Sequence, residues 1–210
     1  MRVVLIDTAT GVVGVAAYAE GVCVFAETQR IQAGADAWLT PALARALTTL
    51  GSLDAVAVVT GPGAFTGLRV GIAHALGLAL ARVLPVIAVP TLALRAAAAP
   101  GHPRVLALLD ARKGRLYAQT FDTTGETPRA LGEPADIAPA ALDLADVVVV
   151  GEGVGAAGAA LVNAKLLSLA DDAHLRAAAL LLHTLPLLDP GAVAPFYLRA
   201  PDAQPPNLVQ

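Results

Sequence analysis

The sequence contains few of the residues on which many enzyme classes depend. One residue in 210 is a cysteine, Cys23, so an intrachain disulfide is excluded and a reducing compartment is favoured. Ser52 and Ser168 are the two serines, and neither lies in the strand-to-helix turn of an activated nucleophile. The four histidines offer no pair spaced four residues apart on a helix, so the sequence predicts no metal site. Serine, cysteine and metal hydrolases are therefore disfavoured.

Long apolar runs and positive charge are also scarce. Hydrophobic residues make up 56% of the chain, yet charged residues and prolines interrupt every run before the ~20 residues that a membrane span requires. The first residues read as a strand, which predicts no export signal and a cytoplasmic protein without membrane association. The formal net charge is −3, and Arg112, Lys113 and Arg115 form the one compact basic cluster, so autonomous nucleic-acid binding is not expected.

Hydrophobic periodicity predicts a mixed α/β protein in two lobes. Pro100-Gly101-His102-Pro103 breaks any regular element and is the predicted boundary. We predict an N-terminal lobe at 1–99, a C-terminal lobe at 100–199 and a flexible tail at 200–210. Strands are predicted at 3–6, 12–18, 22–27, 55–59, 86–89, 105–109, 116–121 and 147–150, and helices at 36–50, 67–82, 90–99, 156–169 and 173–185. The order of elements in the second half partly repeats the first.

The most informative segment is Gly61-Pro62-Gly63-Ala64-Phe65-Thr66-Gly67-Leu68-Arg69-Val70-Gly71, a glycine-proline loop that leads into a helix. We expect Thr66 to cap this helix, whose N-terminus could then hold a phosphate. Small residues recur every four positions, at Gly67, Gly71, Ala75 and Ala79, and leave one helix face nearly bare. That stripe packs either on the chain's own sheet or on a partner. A neighbouring stripe, Leu68, Ile72, Leu76 and Leu80, favours the partner.

Two aspartate turns resemble those with which actin-like ATPases hold phosphate. They are Asp7-Thr8-Ala9-Thr10 and Asp110-Ala111-Arg112, each at the end of a predicted strand. Both lack the glycine that lets backbone N–H groups approach phosphate, and the glycine-rich Gly151–Gly155 loop is weak evidence by itself. The candidate nucleotide or phosphate contacts are therefore weak: Asp7, Thr8, Gly63, Thr66, Arg112 and Lys113.

Four segments together resemble the TsaB (YeaZ) family of bacterial tRNA threonylcarbamoyladenosine biosynthesis proteins. They are the first aspartate turn, the glycine-proline segment, Asp110-Ala111-Arg112-Lys113-Gly114-Arg115-Leu116-Tyr117 and Pro195-Phe196-Tyr197-Leu198-Arg199. The resemblance implies an actin-like two-lobed fold of the glycoprotease-like superfamily. It also implies a non-catalytic subunit that supports the catalytic relative TsaD, with the ATPase subunit TsaE completing the assembly.

The same resemblance implies the site residues and partners. The glycine-rich helix would mediate either homodimerisation or pairing with TsaD, and tRNA would be met only within the complex. No cofactor is expected in this chain, because ATP, ADP and metal would belong to partner subunits. The interface candidates are Gly67, Leu68, Val70, Gly71, Ile72, His74 and Ala75.

Two positions depart from the family pattern. Gly34-Ala35-Asp36 stands where relatives carry a His-Ser pair, and Arg115 stands where they tend to carry an acidic residue, so functions assigned there do not transfer. Two alternative functions stay open: a glycoprotease-like peptidase, and an actin-like sensor whose lobes close on a nucleotide.

Overall fold

The computed structural model describes residues 1–31 and 34–199, which form two mixed β-sheets packed with helices. The tail predicted at 200–210 lies outside the described residues. In the first sheet the strand order is β3-β2-β1-β4-β5, with β2 antiparallel to both β1 and β3, and with β4 and β5 parallel to β1. Its strands are β1 Arg2–Asp7, β2 Val12–Ala19, β3 Val22–Arg30, β4 Ala55–Gly61 and β5 Val86–Pro90.

Helices cover both faces of the first sheet. On one face lie α1, Ala35–Leu50, and α2, Phe65–Arg82, while α3, Thr91–Ala97, lies on the other. Because both faces are covered, the central strands β1 and β4 are buried along nearly their whole length and carry continuous apolar runs rather than an alternating pattern.

The second sheet repeats the plan of the first. Its order is β11-β10-β6-β7-β8, with β9 also paired to β7. An antiparallel hairpin, β6–β7, is again followed by a parallel strand, β10, that leads into a glycine-rich loop. The strands are β6 Val105–Asp110, β7 Leu116–Asp122, β8 Arg129–Ala130, β9 Ala135–Ile137, β10 Val148–Val150 and β11 Lys165–Leu166.

The long helix predicted over 156–169 is wrong. The structure has a single turn, α4, Val154–Ala157, then a 3₁₀ turn, Gly158–Leu161, and then strand β11. Gly158 has φ 52°, a left-handed conformation that ends the helix there. The helix predicted over 173–185 is likewise divided into α5, Ala173–Ala177, and α6, Ala179–Leu182.

One hydrophobic core lies between the sheets and receives side chains from both. It joins Leu5 and Val59 of the first sheet to Leu109 and Phe121 of the second, with α3, α5 and α6 between them. The two-lobe division at residue 99 stays a prediction, but the segment after residue 172 packs on the first sheet. Its Leu188 exchanges two backbone hydrogen bonds with Val86, of 2.8 and 2.9 Å.

Candidate functional site

The four segments that carry the family resemblance line one cleft of about 790 Å³ between the sheets. The first aspartate turn and the glycine-proline loop form one wall, together with Tyr197 of the C-terminal motif. The second aspartate turn forms the other wall, which Arg199 of the same motif reaches through the carbonyl of Ala111. Residues from each of the four contribute: Thr10, Gly63, Phe65, Arg112, Tyr117 and Tyr197. Motifs separated by up to 190 positions in the sequence therefore converge because both sheets present the ends of their hairpins to the same space.

The first aspartate turn is engaged by the chain itself. The Thr8 hydroxyl donates to the carbonyl of Gly67 at 2.7 Å, and the backbone N–H of Ala64 donates to the carbonyl of Ala9 at 2.7 Å. A Cβ at Gly63 would collide with that Ala9 carbonyl, so glycine is required for the two turns to touch. The turn and the loop thus close on each other, and the groups of Thr8 and Ala9 are used in holding them together.

Thr66 does not cap α2. The helix begins one residue earlier, at Phe65, with Ala64 at the N-cap position and no side-chain cap, and Thr66 is exposed. The structure brings Asp7, Thr8 and Gly63 together, whereas Arg112 lies on the other wall of the cleft. The role of these residues in phosphate contact stays a prediction.

A buried charge cluster, which sequence reasoning missed, lies beneath this cleft. The Arg95 guanidinium donates from Nη1 to Asp7 at 2.7 Å, and from Nε and Nη2 to Glu152 at 2.7–3.0 Å. His174 Nε2 lies 3.2 Å from the same Asp7 oxygen, Oδ2. Asp7 is 0% exposed, Arg95 3% and His174 6%, whereas the Glu152 side chain is 25% exposed and lines the cleft.

The cluster changes the acidity of its members. Burial by itself would raise the pKa of Asp7, but the charge of Arg95 and the contact with His174 hold that pKa well below its usual range. The same two effects act on Glu152. Burial raises its pKa, but the charge and hydrogen bonds of Arg95 lower it by more, so the pKa of Glu152 lies below its usual value. Both carboxylates are therefore ionised, and one guanidinium pairs with both of them. The sequence could have indicated this cluster, because Arg95 is the one charged residue of α3.

The second aspartate turn is open to the cleft. Asp110 accepts a hydrogen bond from the backbone N–H of Arg112 at 2.7 Å, and Arg112, Lys113 and Gly114 all have positive φ. The Arg112 side chain is 78% exposed. A basic side chain at this turn is thus directed away from the protein interior.

Arg115, which departs from the family pattern, has an acidic partner in this chain. Its Nε donates to Asp136 at 2.7 Å, and Arg199 donates to the other oxygen of Asp136 at 2.9 Å. The carboxylate that balances Arg115 therefore comes from β9. At the other departure, Gly34 precedes α1 with φ 73°, a conformation that favours glycine.

The C-terminal motif packs on the start of α2. The backbone N–H of Phe196 donates to the carbonyl of Thr60 at 2.7 Å, and the rings of Tyr197 and Phe65 lie 4.9 Å apart. Arg69 lies 3.9 Å above the Phe65 ring and donates to the Tyr197 hydroxyl at 3.2 Å. One end of α2 is thus fixed by a segment more than 100 residues distant in sequence.

The prediction that the small-residue stripe of α2 faces a partner is wrong. Added Cβ atoms at Gly67 and Gly71 would collide with the carbonyl and the hydroxyl of Thr8, and Ala75 and Ala79 are fully buried. The stripe lets α2 approach β1 of its own sheet, which is the alternative that the sequence left open.

Four of the seven predicted interface residues are therefore buried within the chain: Leu68, Gly71, Ile72 and Ala75. Gly67, Val70 and His74 are half-buried. The outer face of α2, defined here as Val70, Ala73, His74, Gly77 and Leu80, also carries small and apolar residues. Leu80 is 67% exposed, and a Cβ added at Gly77 would meet nothing within 4 Å. Both sides of α2 therefore carry small residues. The side with Gly67 and Gly71 is covered by the chain's own sheet, and the outer face is at the surface.

Among residues 1–31 and 34–199, no group of three or more His, Cys, Asp or Glu side chains is arranged to hold a metal ion. None of the helices in this part of the chain combines the length and hydrophobicity needed to cross a bilayer.

Comparison with protein families identifies residues 32–165 as a match to the model for TsaD, tRNA N6-adenosine threonylcarbamoyltransferase. The tRNA threonylcarbamoyladenosine biosynthesis protein TsaB of Escherichia coli is 41% identical over 131 residues, covering 56% of this chain and 53% of that protein. A Mycobacterium tuberculosis protein is 34% identical over 174 residues, covering 80% of this chain and 76% of its own length. The alignment to a Mycobacterium leprae relative covers 41% of that protein, so this chain spans about half the length of some curated relatives.

Solved structures agree with these matches. A Pseudomonas aeruginosa protein described as similar to peptidase YeaZ superposes with a TM-score of 0.81 at 28% identity, covering 94% of this chain and 99% of that one. The structure of YeaZ from the same organism gives 0.76 at the same identity and coverage. The predicted fold class, α/β with two mixed sheets packed with helices, is confirmed, and these structures share it.

Proposed function

This chain belongs to the TsaB (YeaZ) family, and we propose that it is a non-catalytic subunit of the assembly that forms threonylcarbamoyladenosine in tRNA. In this proposal it pairs with the catalytic subunit TsaD, and TsaE completes the assembly. The modified adenosine lies beside the anticodon of tRNAs that read codons starting with A, and tRNA is met only within the complex. ATP, ADP and metal belong to the partner subunits, and the assembly is cytoplasmic.

One observation carries the non-catalytic assignment: the polar groups of the first aspartate turn are occupied by the chain itself. Asp7 is fully buried against Arg95, and the Thr8 hydroxyl is bonded to Gly67. A catalytic carboxylate or hydroxyl must be accessible to the reacting atoms. These two groups would have to break buried interactions before they could serve a substrate.

The pairing surface that we propose is the outer face of α2, not the buried stripe. Its small residues, Ala73 and Gly77, allow another backbone to approach closely, and the exposed Leu80 offers apolar area to bury. The half-buried Val70 and His74, both predicted from the family resemblance, belong to the same face. The same surface would serve homodimerisation of the free chain, so homodimer and TsaD pairing would exclude each other.

The test is Ala73→Glu, which introduces a charge at the centre of the outer face. We expect at least a tenfold loss of affinity for TsaD, about 1.4 kcal/mol, because the carboxylate would be buried without a partner. Affinity is measured by calorimetry, and light scattering measures the homodimer of the free chain. Both associations should weaken together.

The matched control is Ala156→Glu, an equivalent change at an exposed position of α4 on the other lobe. It should leave TsaD affinity unchanged, and circular dichroism should show both variants folded. If Ala73→Glu bound TsaD as tightly as the parent chain does, the outer face of α2 would not be the docking surface.

The two alternative functions are tested separately. Calorimetry of the isolated chain with ADP and ATP should detect no micromolar binding, and a dissociation constant in that range, about −8 kcal/mol, would favour a nucleotide sensor. A peptidase would require turnover of peptide substrates that survives further purification, and we expect none.

A further inference from the structure

Arg95 contacts acidic side chains from both lobes. Asp7 ends β1 of the first sheet, Glu152 follows β10 of the second, and Arg95 projects from α3 between the sheets. Glu152 also accepts from the Thr10 hydroxyl of the first lobe at 3.1 Å. Two polar connections therefore join the lobes here, a direct one from Thr10 to Glu152 and a charged one through the Arg95 guanidinium, and the guanidinium is the one that reaches both carboxylates.

The planar guanidinium of Arg95 donates hydrogen bonds from two of its edges, one to each carboxylate. One edge, Nε and Nη2, meets Glu152 with two nitrogens, and Nη1 reaches Asp7 on another side. A lysine ammonium is a point charge and cannot present two such edges in fixed directions. The arrangement is specific to arginine, because the separation between the two carboxylates is set by the width of the guanidinium.

Because Asp7 and Arg95 are buried, their ion pair has a large effect on stability. Asp7 and Arg95 have almost no exposed surface, and removing one partner of a buried ion pair leaves an uncompensated charge that is strongly destabilising. Two carboxylates facing each other without a cation would repel, so the cleft walls that carry them would move apart while the shared core still joins the lobes. In a two-lobed protein that closes on a ligand, the ligand or its cation supplies this attraction.

We propose that Arg95 acts as a tethered substitute for a ligand, holding the two lobes at a fixed separation by bridging Asp7 to Glu152. The cleft above it then stays in one geometry without any bound molecule, and its walls form a rigid surface. His174 supports the bridge from α5 by contacting Asp7. This inference does not depend on the proposed function, because it concerns the chain alone.

The first experiment is chemical rescue of Arg95→Ala by free guanidinium. The variant should lose about 10 °C in Tm, and millimolar guanidinium should restore at least half of the loss by occupying the vacated space. Sodium chloride at equal ionic strength should restore none of it. If the variant does not fold alone, the same titration should recover the folded circular dichroism signal.

The matched control is Arg45→Ala, which removes an exposed guanidinium paired to Glu27 with two contacts of 2.6 and 3.0 Å. Guanidinium should have no effect on its Tm, because an exposed pair leaves no enclosed site. Equal responses in the two variants would overturn the proposal, as would an Arg95→Ala variant that guanidinium does not rescue.

A second readout distinguishes lobe fixation from a general loss of stability. Hydrogen exchange in Arg95→Ala should accelerate at both cleft walls, around residues 9–12 and 110–114, and guanidinium should slow it again. Arg95→Lys keeps the charge but cannot span both carboxylates, so it should exchange faster than the parent at the same positions. A lysine variant with the parent's Tm and exchange rates would show that charge alone suffices and that no bridge exists.

Discussion

Asp7 has the sequence position of an active-site residue, but its contacts in the fold give it a structural role. An aspartate at the end of a first strand is where actin-like ATPases hold phosphate, and the sequence places Asp7 there. The structure gives it no exposed surface, a backbone hydrogen bond from Ala9 at 2.9 Å and an ion pair with Arg95. Its charge therefore stabilises the fold through neighbours that no local pattern reveals.

The pH dependence of stability should report this role. The folded-state pKa of Asp7 lies below its unfolded value, so its contribution is present above about pH 4 and is lost as the pH falls towards the folded value. At neutral pH, Asp7→Asn should lower the free energy of unfolding by about 3 kcal/mol, because buried Arg95 loses one partner. That difference from the parent should shrink below about pH 4.

The measurement is urea unfolding of both proteins across this pH range. A control, Asp54→Asn, removes an exposed carboxylate and should cause a small difference. A gap between the parent and Asp7→Asn that stayed constant down to the lowest pH would contradict the assignment of ionised, paired Asp7.

At the scale of elements, α2 has two stripes of small residues on opposite sides, and they do different work. Gly67 and Gly71 face Thr8, so that helix and strand approach closely, whereas Gly77 faces open space. Both stripes look alike in the sequence because spacing defines a helix face but not which neighbour covers it. The prediction that the stripe from Gly67 to Ala79 faces a partner failed for this reason, since the sheet lies on the side with the more regular spacing.

A pair of alanine substitutions separates the two faces. Gly71→Ala places a methyl group against the Thr8 hydroxyl and should lower the free energy of unfolding by about 1–3 kcal/mol. Gly77→Ala adds the same methyl group in open space and should raise it by about 0.5–1 kcal/mol, through helix propensity. Chemical denaturation of both variants measures the two changes in the free energy of unfolding. Equal changes would contradict the assignment of Gly71 to the buried face and Gly77 to the exposed face.

At the scale of the molecule, the lobes share a core and exchange segments. The chain returns to the first sheet after residue 172, where Leu175 and Leu182 enter the core, Leu188 pairs with Val86, and Phe196 bonds to Thr60. A boundary at residue 99 separates the two sheets but cuts through these contacts. The lobes are therefore distinct in topology and continuous in packing.

We expect residues 1–99 not to fold alone. The fragment would expose the core face of the first sheet that α5 and α6 cover, and it would lack the hydrogen bonds to Val86 and Thr60. Circular dichroism and proteolysis should find it largely unfolded, whereas residues 1–199 should unfold in one cooperative transition followed equally by fluorescence and far-ultraviolet signals. A fragment with a sharp transition of its own would show that the first lobe is an independent domain.

The sequence by itself determined the five strands of the first sheet, strands β6, β7 and β10 of the second, the ends of α1 and α2 to within two residues, and the four motifs that meet at the cleft. Alternation and turn residues specify these locally. It did not determine the short elements at 154–166, where Gly158 interrupts an apolar alanine-rich pattern that is typical of helices.

Only the tertiary structure decided which face of α2 is buried and which acidic groups Arg95 joins. Both depend on contacts between residues far apart in the chain, 59 positions for Thr8 and Gly67 and 57 for Arg95 and Glu152. Periodicity fixes the direction of a side chain relative to its own element, but the neighbour it meets is set by how the elements pack. The charge of Arg95 could be read from the sequence, and its two partners could not.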